Sequence, residues 1–517
     1  MISRRKLLKS GAAAAVIASV PFIFPRRSFA QSAVSFDYFI SPKGDDNNAG
    51  TLASPWSITA LNSKRATYAG KKIGIIGDQG VIQTGTVGGV QTTLFSIYQA
   101  LTQATAPVLA VNGGTSGSPT YIGSCNSSGA YSARLAIIDC ADPSTGNQPT
   151  NLGSIMGQSQ YMGIGSVPNY GNITFDGLVL RNFTSCSLMF YCSSGQPANN
   201  LTVQNCELYN GQNVVSNGNP GAIYLNNANN ALIHNCKIHD LKTNGAGSPS
   251  AMQHIGVITF NSFNTNITNC TFYNCCALAS KDGWQQMNVS YCYLGWGAFG
   301  LPYSGAAGTS NLGGTVQNYL TASGMTINFH HNILLGPILS YGESSQENEG
   351  SVVIYNNTFY EPTGYKQGLG ALYNILGNAG GTWSFYNNLA YSLSGYAFGA
   401  GSLALSGALT TPSVFTTCDY NAYGTGMTFG DGYTAGHSGL ALSAWQTHGF
   451  DAHSKTLSSS PFVSAPAEAI TGSFAISGPA TTAGKGGVAC GALDGSGLVG
   501  CDFGGVLVPM APSLVVS

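Results

Sequence analysis

The chain has 517 residues, of which 8% are charged and 43% hydrophobic, with 69 glycines and 21 prolines. So few charges exclude a coiled coil and the highly charged kind of disorder, and leave Asn, Ser, Thr and the backbone to solvate the surface. After residue 30 no apolar run reaches the roughly eighteen residues that a membrane span needs.

Residues 1–30 open with Arg4, Arg5, Lys6 and Lys9, run through an alanine-rich apolar stretch to Phe24, and end on Ser28, Phe29 and Ala30. Paired arginines before a modest apolar core and small residues for cleavage resemble a twin-arginine export signal, so a periplasmic or secreted protein is expected. With that segment gone, Arg26 and Arg27 included, 13 Lys+Arg face 20 Asp+Glu, a formal charge of −7. An acidic surface argues against nucleic acid or an anionic membrane as partner.

Next comes a cap-like region: FISPKGDDNNAGTLASPW at 39–56, a helix-like stretch near 57–69, GGTSGSPTY at 113–121 and AIID at 136–139. From residue 172 the chain repeats itself: NITFDGLVL at 172–180, NLTVQNCEL at 200–208, ALIHNCKI at 231–238, NITNCTF at 266–272 and MNVSYCYL at 287–294. MTINFHHNI at 325–333, VVIYNNTF at 352–359 and WSFYNNL at 383–389 continue it. One column therefore reads Leu178, Cys206, Cys236, Cys270, Cys292, Asn332, Asn357, Asn388 and Asn421, at intervals between 22 and 40 residues.

Short alternating β segments at such a period, joined by Asn/Gly turns, define a solenoid of strands. Each coil cannot bury its inner face alone, and stacking at about 4.8 Å joins the coils into parallel sheets. The fold class expected is all-β, a right-handed parallel β-helix with N- and C-terminal caps; a β-propeller would lack the single Asn/Cys column. An inward Asn column predicts amide ladders along the axis. Long loops are expected at 211–220, 241–254, 297–323 and 336–350, and the far end, with LSAW at 442–445, DAHS at 451–454 and ACGALD at 489–494, reads as the second cap. The domain boundaries expected are a signal at 1–30, one β-helix domain at 31–495 with caps over 31–110 and 422–495, and a tail at 496–517.

Of the 13 cysteines, Cys206, Cys236, Cys270 and Cys292 fall in successive coils and are expected as free core thiols; Cys186/Cys192 and Cys490/Cys501 are the pairs placed for bonds, if any form. One of His330 and His331 is expected to face inward, and no metal ligands are expected, since no zinc-type spacing occurs. Glu343, Glu347 and Glu349 cluster in a loop that could hold Ca²⁺ or be solvated by these carboxylates, the second being the reading favoured.

The opening at 41–55, the segment at 114–121, the N-C and N-N coils and the tail from Asp451 to Asp494 resemble exported carbohydrate-active β-helix proteins. Within them the chain looks most like polysaccharide lyases of the pectate lyase superfamily, including the alginate lyase and chondroitinase B group, and the resemblance spans nearly all of 36–495. The resemblance implies a polysaccharide lyase that removes the C5 proton of a uronate and expels the O4 substituent. That chemistry uses a cation or Ca²⁺ at the carboxylate and a base near the α-proton. In that group a Lys and an Arg stand on successive coils; here Asn261 falls at the Lys position, with no Glu before it, and Lys281 or Asp282 falls near the Arg position.

Scarcity of cations narrows the rest, because the central coils hold Arg181, Lys237, Lys242, Lys281 and Lys366 alone. Lys281 is the first candidate as base or carboxylate clamp, assisted by His239 and Lys242. Asp240, Asp282, His254, Tyr209, Tyr273 and Lys237 are the candidates for substrate binding, His239 between two tyrosines offering a sugar-stacking platform. Lys237 also stands across a coil from Glu207, as an ion pair would. Two other readings stay open: a glycoside hydrolase using Asp240, Asp282 and Glu207, and a non-catalytic glycan-binding protein. The cofactor is left open, with Ca²⁺ a candidate, and a monomer with a polysaccharide partner is expected.

Overall fold

The computed structural model describes residues 34–83, 86–87, 90–91, 107–141, 154–160, 167–213, 221–243, 255–273, 275–281, 286–295, 316–319, 324–334, 338–341, 350–361, 373–376, 382–392, 405–406, 415–429, 440–463 and 474–492. The signal-like segment, Cys501 and the tail from 496 lie outside them.

One coil illustrates the rest. The chain runs along Ile255–Phe260, turns into Thr265–Thr268, bends sharply into Thr271–Tyr273, and re-enters the first direction at Cys276–Lys281. Repeating that path stacks three sheets, here called one, two and three in the order the coil meets them, with ten, twelve and twelve strands among the described residues. Every pairing in them is parallel, and a short antiparallel hairpin joins Thr86–Val87 to Val90–Gln91. The chain is a right-handed parallel β-helix, the hand that parallel strand crossovers take.

Inward positions stack like on like. Phe175, Val203, Ile233, Ile267, Val289, Phe329, Ile354 and Phe385 are successive register partners in sheet two and all are buried. Between sheets two and three the chain bends on one left-handed residue, Asn205, Asn235, Asn269, Tyr291, His331, Asn356, Asn387 or Tyr420, with φ between 51° and 59°. Asn tolerates that region well because its short polar side chain bonds locally.

The next residue is the Cys/Asn column, and its chemistry explains its composition. The bend takes its N–H out of the sheet ladder, so the next coil supplies an acceptor. Cys270 Sγ accepts from Cys236 N–H at 3.5 Å and Cys292 Sγ from Cys270 N–H at 3.4 Å. Asn332, Asn357, Asn388 and Asn421 Oδ1 do the same at 2.8–3.0 Å. Each side chain also donates to a carbonyl: Cys270 Sγ to Ile233 O at 3.5 Å, Asn357 Nδ2 to Phe329 O at 2.9 Å. The thiols are thus working members of the ladder as well as small core groups. All twelve described cysteines are buried and free, Cys186, Cys192 and Cys490 included.

The ladder ends on Ser454 Oγ, which accepts from Asn421 N–H at 2.7 Å, and on the buried Asp451 carboxylate. That carboxylate takes Asn421 Nδ2 at 2.9 Å, Tyr423 OH at 3.1 Å and Trp445 Nε1 at 3.1 Å. Beyond it the chain folds back, and Phe462, Phe474 and Ile476 cover Tyr360, Leu389 and Ala422 on the outer face of sheet three. At the other end Tyr38–Ile40 and the helical turns Ala60–Ser63 and Arg65–Tyr68 close the core.

Two expectations need correction. The stretches 297–323 and 336–350 are not loop throughout, since Val316–Tyr319 and Ile338–Tyr341 are strands of sheet one. Neither His330 nor His331 faces inward: His330 ends a strand on the outward side, His331 is the left-handed bend, and the inward place belongs to Asn332.

Candidate functional site

The candidate residues fall on two different sheets. Glu207–Tyr209, Lys237–His239 and Thr271–Tyr273 are neighbouring strands of sheet three, with Glu207 opposite Lys237 and Tyr209, His239 and Tyr273 in one column. Lys237 Nζ reaches Glu207 Oε1 at 2.8 Å. The His239 ring is buried; its Nε2 lies 3.0 Å from the same Glu207 oxygen and its Nδ1 2.7 Å from Asp240 Oδ2. With a carboxylate on each nitrogen, the ring donates to both only as the imidazolium. Arg181 extends the row, with Nε 2.8 Å from Asp139 Oδ2 and Nη1 3.1 Å from the Tyr209 hydroxyl.

This network fixes its charges. The His239 hydrogen bond and the Lys237 ammonium hold the Glu207 carboxyl down at about 2, against the rise that burial alone would cause. Burial would lower Lys237, but the bond to Glu207 overrides it and raises the ammonium. At neutral pH Glu207 therefore has no proton to give and Lys237 none to lose, which removes Glu207 as the acid of a hydrolase pair. Tyr209 and Tyr273 lie nearly parallel to the His239 ring at 5.0 and 4.5 Å, so both faces of that ring are taken and it offers no sugar a stacking surface.

Lys281 is the last residue of Cys276–Lys281, on sheet one. Five residues at about 3.3 Å each separate it from the strand end that follows Tyr273 by three residues, about 16 Å along the strand. Lys281 and His239 thus serve different faces of the solenoid. Lys281 continues a register column of Tyr191, Asn226 and Phe260. Tyr224 lies 5.8 Å from the Tyr191 ring and 5.1 Å from Phe260, and the two rings Tyr224 and Phe260 pack on a small apolar cluster of Ile255, Ile258, Cys276 and Ala279. Among the described residues, the ten strands of sheet one contain one charged residue, Lys281.

Lys242 begins a two-residue strand, Lys242–Thr243, paired with Gln212–Asn213 at the exit of sheet three. Asp282 and His254 lie outside the described residues. The Tyr191–Asn226–Phe260 column and the Arg181–Asp139 pair escaped the sequence reading; the first needs sheet one to be recognised, and the second needs the register between coils. No group of three or more His, Cys, Asp or Glu side chains that could hold a metal occurs among the described residues, and none of the described helices is long and apolar enough to cross a membrane.

No family model matches the chain, and no curated protein does. Among solved structures it is similar to pectate lyase Pel9A, at 16% identity and a TM-score of 0.44, covering 74% of this chain and 78% of that one. A rhamnogalacturonan lyase matches at 12% identity and a TM-score of 0.40, over 74% and 87% of the two chains. XylC in complex with xylose matches at 10% and 0.37, over 75% and 84%. At these identities and TM-scores nothing further about this chain is taken from them, and its fold rests on its own strand pairing.

Proposed function

We propose that the chain is an exported polysaccharide lyase that holds a uronate-containing polymer on the outer face of sheet one, with Lys281 as the cation at the sugar carboxylate. The observation that carries this reading is the place of Lys281: the one charged residue in the ten described strands of sheet one, in register with a column of Tyr191, Asn226 and Phe260. Apolar rings suit the faces of a sugar, and a fixed ammonium suits its carboxylate. In the reaction a base takes the C5 proton, the C–H pair becomes the C4–C5 double bond, and the O4 substituent leaves with a proton. Lys281 neutralises the negative charge that develops on the carboxylate as the proton departs. Asp282, which follows Lys281 in the chain, and His254 are proposed as further substrate contacts. The ionic row on sheet three is assigned to holding that sheet, because its charges are already matched to one another. The export signal at 1–30, a single β-helix domain over 31–495 and a tail at 496–517 belong to the same proposal.

The test uses residues 31–517 with pectate, alginate, chondroitin, dermatan and neutral glycans, with Ca²⁺ and with chelator. Ultraviolet absorbance of unsaturated uronate should rise together with reducing ends. Lys281→Ala should lower the rate by about 10²-fold or more, the loss expected for one fixed electrostatic group. Lys281→Arg, which keeps the charge, should retain more. Reducing ends without absorbance would replace elimination by hydrolysis, and a Lys281→Ala variant with at least half the activity would remove Lys281 from the site.

A further inference from the structure

The turn from sheet one into sheet two has the same build in three successive coils. Asn199, Asn229 and Phe263 hold one place in it. Ala198–Asn199 pairs with Ala228–Asn229, Asn200 N–H donates to Asn229 O at 2.8 Å, and Asn230 N–H donates to Phe263 O at 2.9 Å. The residue that follows is left-handed each time, Asn200, Asn230 or Asn264, with φ between 56° and 57°. Their amides form a ladder on the outside of the solenoid. Asn264 Nδ2 donates to Asn230 Oδ1 at 2.9 Å, Asn230 to Asn200 at 3.3 Å and Asn200 to Asn172 at 2.8 Å, and both Asn200 and Asn230 are exposed.

The buried ladder between sheets two and three commits its polar groups to the fold, whereas this outer one leaves several open. An asparagine amide offers two N–H bonds and two lone pairs. Asn200 and Asn230 each give one N–H and one lone pair to the ladder. Asn229 uses its Oδ1, which accepts the Phe263 N–H at 3.2 Å, and the Asn199 side chain makes no hydrogen bond among the described residues. Phe263 is 42% exposed, the one aromatic among the exposed large apolar side chains of the described residues. Its own N–H and carbonyl are both tied. Ser262 beside it pins the turn, accepting Ala228 N–H at 3.2 Å and donating to Phe260 O at 2.9 Å. A lone exposed ring needs no explanation. A ring on a pinned turn, in line with open amides, is a surface ordered before any partner arrives, so little freedom is lost on binding.

What the strip lacks selects the partner. None of its residues is charged, so it has nothing to attract a carboxylate, a phosphate or a charged protein face. An apolar ring suits the C–H face of a pyranose, and an amide serves its hydroxyls as donor and acceptor together. The coils repeat at about 4.8 Å, so the ladder from Asn172 to Asn264 is about 14 Å long. Its groups recur at about the length of one sugar in an extended β-linked chain. The geometry points to a docking strip for a neutral polysaccharide, an extended chain of β-linked pyranoses that stacks on Phe263 and runs along the solenoid axis over Asn229 and Asn199. The strip adjoins the end of sheet one, since Phe260, the register partner of Lys281, precedes Phe263 by three residues. Its recognition uses neither Lys281 nor a sugar carboxylate. It therefore goes beyond the lyase reading and stands or falls independently of it, holding the protein on a neutral polymer whatever reaction the chain performs.

The experiment is native affinity electrophoresis of the full-length protein in gels containing hydroxyethylcellulose, xylan or galactomannan, followed by calorimetry with the matching hexasaccharide. Retardation is expected in at least one of the three gels, and the binding should persist in about 0.5 M salt, because no charge takes part. Phe263→Ala should weaken binding by about tenfold or more, and Phe263→Trp should retain it. Asn199→Ala, which breaks no hydrogen bond among the described residues, should weaken it by about fivefold, the loss of one net hydrogen bond. Lys281→Ala should bind these neutral polymers as the parent does. Circular dichroism and melting temperature report that each variant is folded. No retardation in any of the three gels, binding that salt abolishes or that is lost with Lys281, or an affinity within twofold of the parent in folded Phe263→Ala or Asn199→Ala would each overturn the assignment.

Discussion

Asn357 tests the account of the inward column, because the chain itself supplies the control. Its Oδ1 takes the Asn332 N–H at 3.0 Å, and its Nδ2 donates to Phe329 O at 2.9 Å. Asn357→Ala strands that buried N–H, at about 1–3 kcal/mol, and removes the second bond to a carbonyl that stays in the sheet ladder, so a loss of about 3 kcal/mol is expected. Asn332 Nδ2 adds little to the sum, since it keeps Val289 O at 2.9 Å. Asn357→Cys puts at this level the group that Cys270 and Cys292 use three and two coils earlier. Its sulfur accepts the N–H and its S–H donates to the carbonyl, with weaker bonds but no orphan, so about 1 kcal/mol is expected. Urea unfolding monitored by circular dichroism and by tryptophan fluorescence gives both values, and coincident transitions license a single free energy. A Cys variant as unstable as the Ala variant would refute the idea that the column is an acceptor ladder, and so would an Ala variant within 1 kcal/mol of the parent.

The ionic row predicts an acid limb. The Glu207 carboxyl sits at about 2 in the folded chain against an ordinary 4.5, so its stabilisation is complete above about 4.5 and is lost as pH falls toward 2. The contribution is on the order of 2 kcal/mol, and Glu207→Gln should flatten that limb in a series of melting temperatures between pH 2 and 6. The thiols predict a reactivity pattern: burial raises the described cysteines that shift, Cys186, Cys206, Cys236 and Cys418 among them. An aromatic disulfide reagent should therefore leave the twelve described thiols unmodified in the native protein and modify all thirteen in denaturant. Two or more fast native thiols would contradict the packing described.

The sequence made sheets two and three legible because their strands alternate. In LTVQ and TNIT one side chain in two is buried, and the bend residue and its inward neighbour recur as N-C or N-N. Sheet one was not legible for the same physical reason in reverse. Ile255–Phe260 buries its first five residues, on both faces, so no period of two marks it, and Val316–Tyr319 has no repeat motif beside it. Candidate site residues were therefore drawn from the visible sheets, and Lys281 was chosen by scarcity rather than by its neighbours. The partners of Arg181 depend on the register between coils and on a strand forty residues upstream, which no local pattern encodes. The Cys-to-Asn change along one column was visible, but that both residues perform the same two hydrogen bonds follows only from the bend geometry.

The distribution of charge on sheet three follows what covers it. In the C-terminal coils its outward residues are Thr358, Tyr360, Leu389 and Ala422, and the chain's own Phe462, Phe474 and Ile476 pack over them. In the N-terminal coils the outward residues are Arg181, Glu207, Tyr209, Lys237 and His239, half-buried or buried and tied to one another. A strand side that no apolar segment caps must satisfy itself, and opposite charges directly across coils do so while resisting unintended sheet packing. A catalytic row would need a group held away from its preferred charge state or a nitrogen left open to substrate. Here Glu207 and Lys237 are driven further into their ordinary ionised forms, and both His239 nitrogens are engaged. Sheet one has the opposite character: among its described strands are apolar rings, amides and a single charged residue, Lys281. That imbalance is what a carboxylate-bearing sugar would complete.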